Sequence, residues 1–329
     1  MTEPSHILVT GGAGFIGSHL VDRLLKDDHL VTVIDDCSTG SFDNLDHARK
    51  NPNLTLVSST VSACSDLEET VAKSDYVYHL AAAVGVELVV NSPINTIHTN
   101  LHESEAILKA ASKTQTPVLL TSTSEVYGKS KKHAFDEEDD LLIGPPHLGR
   151  WSYACSKLMD EFLAMAYAQE YATPVTIVRL FNTVGPRQTG RYGMVVPRFI
   201  EAALTDKPLK VYGDGTQTRC FCFVDDTVEA LLRLSSCEAA RGKVFNVGSA
   251  EEVSILDLAR TIIETLGSRS RIEHVPYSEA YAPGFEDMLR RKPIVDKLFD
   301  HTRFRPRTPL REIIATTAAA ARERLDVSG

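Results

Sequence analysis

Apolar residues fall along this chain in two alternating rhythms. Runs of four or five residues rich in Ile, Val, Leu and Tyr occur at 6–10, 30–34, 54–57, 76–79, 118–121 and 175–179. Each is too short for a helix and reads as a strand covered on both faces. Between them lie stretches whose apolar positions recur three and four apart, at 14–26, 96–112 and 152–171, the period of an amphipathic helix. Thr173-Pro174 stops the last of these. Strands alternating with helices predict an α/β fold, a doubly wound parallel sheet with helices on both sides. After Gly185-Pro186 the rhythm breaks into a polar loop at 187–193, a helix at 195–204, a strand at 209–212, the Gly213-Asp214-Gly215 turn and a helix at 254–266. The expected division is a nucleotide-binding domain over 1–185, with a strand near 244–248 returning to its sheet, and a smaller, mainly substrate-binding lobe over 186–329. No internal repeat is present.

The turn after the first strand, Thr10-Gly11-Gly12-Ala13-Gly14-Phe15-Ile16-Gly17, spaces its glycines G-x-x-G-x-x-G and opens a helix. Missing Cβ atoms let a backbone approach a pyrophosphate, and the helix N-terminus offers it free N–H groups. Gly11, Gly14, Phe15, Ile16 and Gly17 are therefore candidate cofactor contacts in a Rossmann-type sheet. Asp35 and Asp36 end the second strand. A carboxylate there accepts from ribose hydroxyls and repels a 2′-phosphate, which selects NAD.

Composition narrows the rest. With 43% hydrophobic and 24% charged residues the chain matches an ordinary globular protein. Its net charge of −9 and lack of a basic stripe argue against a nucleic-acid partner. No apolar run reaches membrane-spanning length, and none resembles a leader peptide. The six cysteines, Cys37, Cys64, Cys155, Cys220, Cys222 and Cys237, form no C-x-x-C pair, so no metal is expected and reduced thiols in a cytoplasmic protein are. His79 and His274 are read as satisfying local hydrogen bonds, and the acidic run 136–140 as a solvated loop face.

The chemistry concentrates in two segments. Thr121-Ser122-Thr123-Ser124-Glu125-Val126-Tyr127-Gly128 ends a strand, and Arg150-Trp151-Ser152-Tyr153-Ala154-Cys155-Ser156-Lys157 opens a helix. Tyr153 and Lys157 are four apart and share a helix face. A neighbouring ammonium is expected to lower the phenol from about 10 towards neutrality, which makes Tyr153 a base for a sugar hydroxyl. Thr123 is expected to bond the same hydroxyl. Arg150, one turn before Tyr153, suits a carboxylate. The competing readings are that Arg150 pairs with Glu138 or another surface acid and that Glu125 is a structural ion-pair partner.

On these residues, with Leu80-Ala81-Ala82, Asn100, Phe181-Asn182-Thr183-Val184-Gly185-Pro186-Arg187 and Tyr212 to Gly215 with Arg219, the chain resembles the extended short-chain dehydrogenase/reductase superfamily, in its nucleotide-sugar epimerase, dehydratase and decarboxylase branch. The resemblance runs nearly end to end. It implies bound NAD and a UDP-sugar oxidised at C4. It places Leu80, Ala81, Ala82, Asn100, Ser122, Phe181 and Val184 among the cofactor contacts. Ser124, Asn182, Arg187, Arg219 and Arg291 would then meet sugar or diphosphate, and Val195, Phe199 and Tyr212 the base. Thr123-Ser124-Glu125 is similar to UDP-glucuronate decarboxylases and to the decarboxylase domain of the aminoarabinose pathway. The stretch 150–155 is similar to apiose/xylose synthases. A UDP-glucuronate decarboxylase is therefore expected, with a UDP-sugar 4-epimerase as the alternative. A 4,6-dehydratase is disfavoured because Ser124 stands where that reaction's acid would be, and a non-catalytic NAD-sensing protein because no catalytic position is lost. The loop 83–90 lacks the proline usual in decarboxylases and the cysteine of apiose enzymes, and about Thr60 stands where an acid often approaches adenine. The helices at 101–112 and 162–171 are expected to join two copies in a homodimer.

Overall fold

The computed structural model describes residues 4–83, 92–190, 194–276, 288 and 290–328. The first half runs β1 (His6–Thr10), α1 (Phe15–Lys26), β2 (Leu30–Asp35), β3 (Leu54–Ser58), α2 (Leu67–Lys73), β4 (Tyr76–His79), α3 (Pro93–Thr114), β5 (Val118–Thr123), α4 (Trp151–Tyr171) and β6 (Val175–Leu180). The second runs β7 (Thr183–Val184), α5 (Val195–Leu204), β8 (Leu209–Tyr212), β9 (Thr218–Cys220), β10 (Cys222–Phe223), α6 (Val224–Ser235), β11 (Lys243–Val247), β12 (Glu252–Ser254), α7 (Ile255–Leu266), β13 (Ile272–Val275), α8 (Asp296–Thr302) and α9 (Leu310–Ser328).

The main sheet has seven strands in the order β11-β6-β5-β4-β1-β2-β3, all paired in parallel. The near-continuous apolar runs follow from this, since helices cover both faces. One core packs α1 and α6 on one face, around Leu20, Leu24, Leu231 and Phe245; the other packs α2, α3 and α4, around Val71, Ile107, Leu108 and Ala164. The strand expected near 244–248 returns to the sheet, with Val244 opposite Ile177 and Val247 opposite Leu180. Strand order reverses between β1 and β4, and a crevice opens there at the carboxyl ends of the strands. The glycine loop follows β1 and Ala81-Ala82 follow β4, so both meet at that crevice.

A third core, around Phe199, Leu209, Phe221, Leu258 and Ile313, draws on α5, α7, α9 and short paired strands, and all its buried members lie between Val184 and Ala318. It stands beside the crevice and supplies its far wall. The acidic run 136–140 is not simply solvated. Glu137 is 7% exposed and accepts the Asn246 N–H at 2.8 Å. This tie to β11 is invisible in a run of like charges. The loop at 84–90, positions 191–193 of the polar loop and the first three residues lie outside the described residues.

Candidate active site

One cavity of about 1050 Å³ runs along the crevice. At its nucleotide end the glycine loop is built for close approach. Gly11 has φ +72°, and a Cβ on it would stand 2.7 Å from the Ala81 nitrogen. A Cβ on Gly17 would stand 2.1 Å from the Gly11 carbonyl oxygen. Gly14 caps α1 without a side-chain bond, and the first turn holds no acid, so its N–H groups face the cavity uncompensated. Asp35 accepts from the Ala13 N–H at 2.9 Å and the Cys37 N–H at 2.8 Å, which fixes loop to strand, and burial pushes its carboxyl up. These residues fit a dinucleotide: a Cβ-free cradle at a helix N-terminus, with a carboxylate at the end of β2.

Of the sequence-selected residues, all but one line this cavity. The exception is Asn100, and its place has a plain cause. It is 1% exposed, accepts the Ala83 N–H at 2.7 Å and donates to Ser156 at 2.9 Å. It ties α4 to the segment after β4 from behind the wall. Ser122 borders the cavity, but its hydroxyl donates to Glu161.

Thr123 ends β5 and caps the short turn that follows, its Oγ1 accepting the Glu125 N–H at 3.2 Å. Its hydroxyl also lies near enough to the Tyr153 phenol to favour the ionised form. The expected fall in the phenol's pKa is not what the protein does on its own. Burial, then the charges of Glu125 and Asp160, push Tyr153 above the ordinary phenol range, while the Thr123 hydroxyl and the charge of Arg291 pull it only partly back. The expectation counted the ammonium of Lys157 alone, whereas that ammonium stands 2.8 Å from the buried carboxylate of Asp160.

Arg291 was expected at a diphosphate. Its Nη1 instead lies 3.2 Å from Glu125 Oε1, with side-chain exposures of 12% and 18%. Glu125 is thus an ion-pair partner and a cavity residue at once. Arg150 stacks over the Trp151 ring at 5.2 Å, while Glu138 pairs with Lys297 at 3.0 Å rather than with Arg150. On the far wall Asn182 donates to the Cys220 carbonyl at 3.1 Å, Arg187 pairs with Asp22 at 2.7 Å, and Arg198 donates to the Tyr212 hydroxyl at 3.0 Å.

Sequence reading missed Glu103, which lines the cavity beside Thr60 and Val61 and accepts the Val61 and Ser62 N–H groups. It supplies a carboxylate to the loop where Thr60 replaces an acid. Its signal was helical spacing: Thr96, Asn100, Glu103 and Ser104 are the polar residues buried on one face of α3. His79 satisfies local bonds as read, meeting Thr10 at 2.8 Å and Ser104 at 3.2 Å. His274 meets the Gly213 carbonyl at 3.0 Å.

A sequence profile of the NAD dependent epimerase/dehydratase family matches residues 7–248. Among curated proteins, the UDP-N-acetyl-alpha-D-glucosaminuronate decarboxylase of Bacillus cytotoxicus is 43% identical over 300 residues, covering 91% of this chain and 92% of that protein. UDP-glucuronic acid decarboxylase 4 of Arabidopsis thaliana is 37% identical over 319 residues, covering 97% and 69%. Among solved structures, the UDP-glucuronic acid 4-epimerase of Bacillus cereus, in complex with UDP-glucuronic acid and NAD, superposes with a TM-score of 0.86 at 29% identity, covering 97% of this chain and 99% of that one.

Proposed function

Since the chain belongs to the NAD-dependent epimerase/dehydratase family of enzymes, we propose that it decarboxylates a UDP-hexuronate through a 4-keto intermediate. One observation carries the reading. Two guanidinium groups, Arg150 and Arg291, share a cavity wall with the Thr123–Tyr153 hydroxyl pair and the Glu125 carboxylate. Guanidinium forks suit a sugar carboxylate.

In this reading Thr123 orients the C4 hydroxyl and Tyr153 takes its proton. Bound NAD supplies a reversible hydride acceptor for C4. A ketone at C4 makes the C6 carboxylate a β-keto acid, so the C5–C6 bond breaks, CO₂ departs and an enolate remains. Glu125 or an ordered water delivers a proton to C5, and Tyr153 returns its proton to O4 as C4 is reduced. Arg150 holds the C6 carboxylate, and Arg291, released from Glu125, assists it. Asn182, Arg187 and Arg219 hold the diphosphate, and Val195, Phe199 and Tyr212 the base, from a substrate lobe formed mainly by 186–329. Lys157 and the loop 10–17 hold the dinucleotide.

The similarity to a decarboxylase of an N-acetylated uronate makes the C2 acetamido sugar a substrate to set beside UDP-glucuronate. Each is incubated with the NAD-loaded protein, and CO₂ and proton NMR spectra are followed. Release of CO₂ with a pentose product supports the reading, while a galacto-configured uronate without CO₂ replaces it with 4-epimerisation, the second reading, which the similarity to a UDP-glucuronic acid 4-epimerase favours. We also propose a homodimer. Ile94 and Ile97 of α3 and Met159, Phe162 and Met165 of α4 expose a stripe of large apolar side chains, Phe162 at 64%, suited to a second copy. Six unpaired cysteines fit a reducing, cytoplasmic setting.

A further inference from the structure

At the cavity wall Lys157, which the proposed reading gives to the dinucleotide, is paired with a buried carboxylate that this reading leaves without a role. Lys157 and Asp160 stand three apart on α4, with Nζ and Oδ2 at 2.8 Å and side-chain exposures of 2% and 0%. Water screens neither group, so each feels the other at nearly full strength. The surrounding titratable groups are few. His79 of β4 faces Lys157 and is held neutral by burial first and by the lysine's charge second. Burial pushes the Asp160 carboxyl up and the Lys157 ammonium pulls it back, with Ser104 of α3 and Glu161 of α4 acting after them, and Glu161 is itself bound by Arg179 of β6 at 2.8 Å. Glu125, which follows β5, and Arg291 act on Tyr153. Lys157 and Asp160 thus form a closed, electrically neutral unit beside the phenol.

We propose that Asp160 is a positioning residue: it fixes the Lys157 ammonium and cancels its charge, so that Tyr153 stays a phenol until an oxidised cofactor brings a positive charge beside it. A lone buried ammonium would ionise the phenol in the cofactor-free protein; one matched by a carboxylate does not. The residues at the loop fit a dinucleotide, and the oxidised nicotinamide ring is a cation, so the base is armed by the form of the cofactor that the chemistry needs. The inference rests on Tyr153 being the proton acceptor of the proposed reaction.

The test is made on the cofactor-free protein, so its outcome does not depend on which sugar is turned over. The protein is labelled with ¹³C at the tyrosine ring carbon bearing oxygen, and Tyr153 is assigned by its loss in Tyr153→Phe. In the unaltered protein its titration midpoint lies above about 10, the value of a free phenol; a midpoint at or below that overturns the proposal. In Asp160→Asn the midpoint falls by about one pH unit or more, because Lys157 is no longer matched. No shift, or a rise, in a variant that still unfolds cooperatively overturns it. Asp160→Glu, which keeps the charge, restores the original midpoint. Should Asp160→Asn not fold, the midpoint of the unaltered protein decides alone. With NAD and a UDP-uronate, the acid limb of kcat/KM in Asp160→Asn moves to lower pH with little change in KM; lost turnover with an unmoved limb marks a merely structural residue and overturns the proposal. An absence of turnover on every uronate refutes the assigned reaction while leaving the titration readable.

Discussion

Replacing Arg179 with Met tests how the catalytic strand end is held in place. Arg179 is 4% exposed on β6. Its Nη2 donates to Glu161 at 2.8 Å and its Nε at 3.1 Å, while Nη1 donates to the Tyr127 hydroxyl at 3.0 Å and the Glu137 carbonyl at 3.2 Å. Its guanidinium also lies 4.9 Å from the centre of the Tyr127 ring. Methionine keeps much of the aliphatic volume and removes every one of these bonds. Glu161, 4% exposed, is left as a buried carboxylate with the Ser122 hydroxyl as its remaining donor. Stranding one partner of a buried pair costs about 3–5 kcal/mol. The Tyr127 hydroxyl loses a donor but keeps Asn246 at 2.8 Å, so it adds no more than about 1 kcal/mol. A loss near 4 kcal/mol is large against a total stability of about 5–15 kcal/mol. Urea unfolding of the cofactor-free protein, followed by tryptophan fluorescence and circular dichroism, reads it from the midpoint at constant slope. Adding Glu161→Met should recover about 2 kcal/mol or more, because the stranded charge is gone. A single-variant loss under about 1.5 kcal/mol, or a double variant no more stable than Arg179→Met, refutes the argument that desolvated charge dominates this joint.

Gly17→Ala drives a Cβ to 2.1 Å from a backbone oxygen that no rotamer change relieves, so NAD affinity should fall at least about tenfold; a titration giving unchanged affinity contradicts the cradle. Glu125→Gln should let NADH form and CO₂ depart but slow protonation at C5, so that the pentose lags behind CO₂ in a single turnover followed by absorbance, CO₂ trapping and proton NMR; an unchanged rate of pentose formation removes Glu125 from the mechanism. His79 is pushed down to about 3 by burial and by the Lys157 charge, against 6.5 for a free imidazole. The unfolded chain therefore binds a proton below about pH 6.5 that the folded protein refuses until about pH 3, and stability falls by about 1.4 kcal/mol per pH unit in that window. Unfolding in a pH series should show this slope lessened in His79→Asn, and an identical slope would place the acid sensitivity elsewhere. Phe162→Glu should convert a dimer to a monomer by light scattering, and an unaltered protein that is already monomeric rules out the proposed stripe.

The amino-acid pattern by itself settled whatever depends on neighbours in sequence. Strand and helix periods located β1 to β6, α1, α3 and α4 to within a few residues, because a covered strand and an amphipathic helix each write their environment into local spacing. The glycine loop and the placing of Tyr153 and Lys157 one helical turn apart at the cavity were legible for the same reason: one turn of backbone contains each. Tertiary packing decided the rest. Arg291 reaches Glu125 across 166 residues of sequence, and nothing local to Arg290-Arg291-Lys292 distinguishes a diphosphate clamp from a carboxylate partner. Asn100 reads as a cavity residue until the packing of α3 against α4 turns it onto Ala83 and Ser156. Glu137 looks solvated within an acidic run until β11 brings the Asn246 N–H to it. Asp160 stands three residues from Lys157 in plain view, yet only burial turns that spacing into a charge pair that water does not screen. Spacing along a helix fixes who is adjacent. Whether water is excluded, and so how strongly adjacent charges act, is settled by what packs on top.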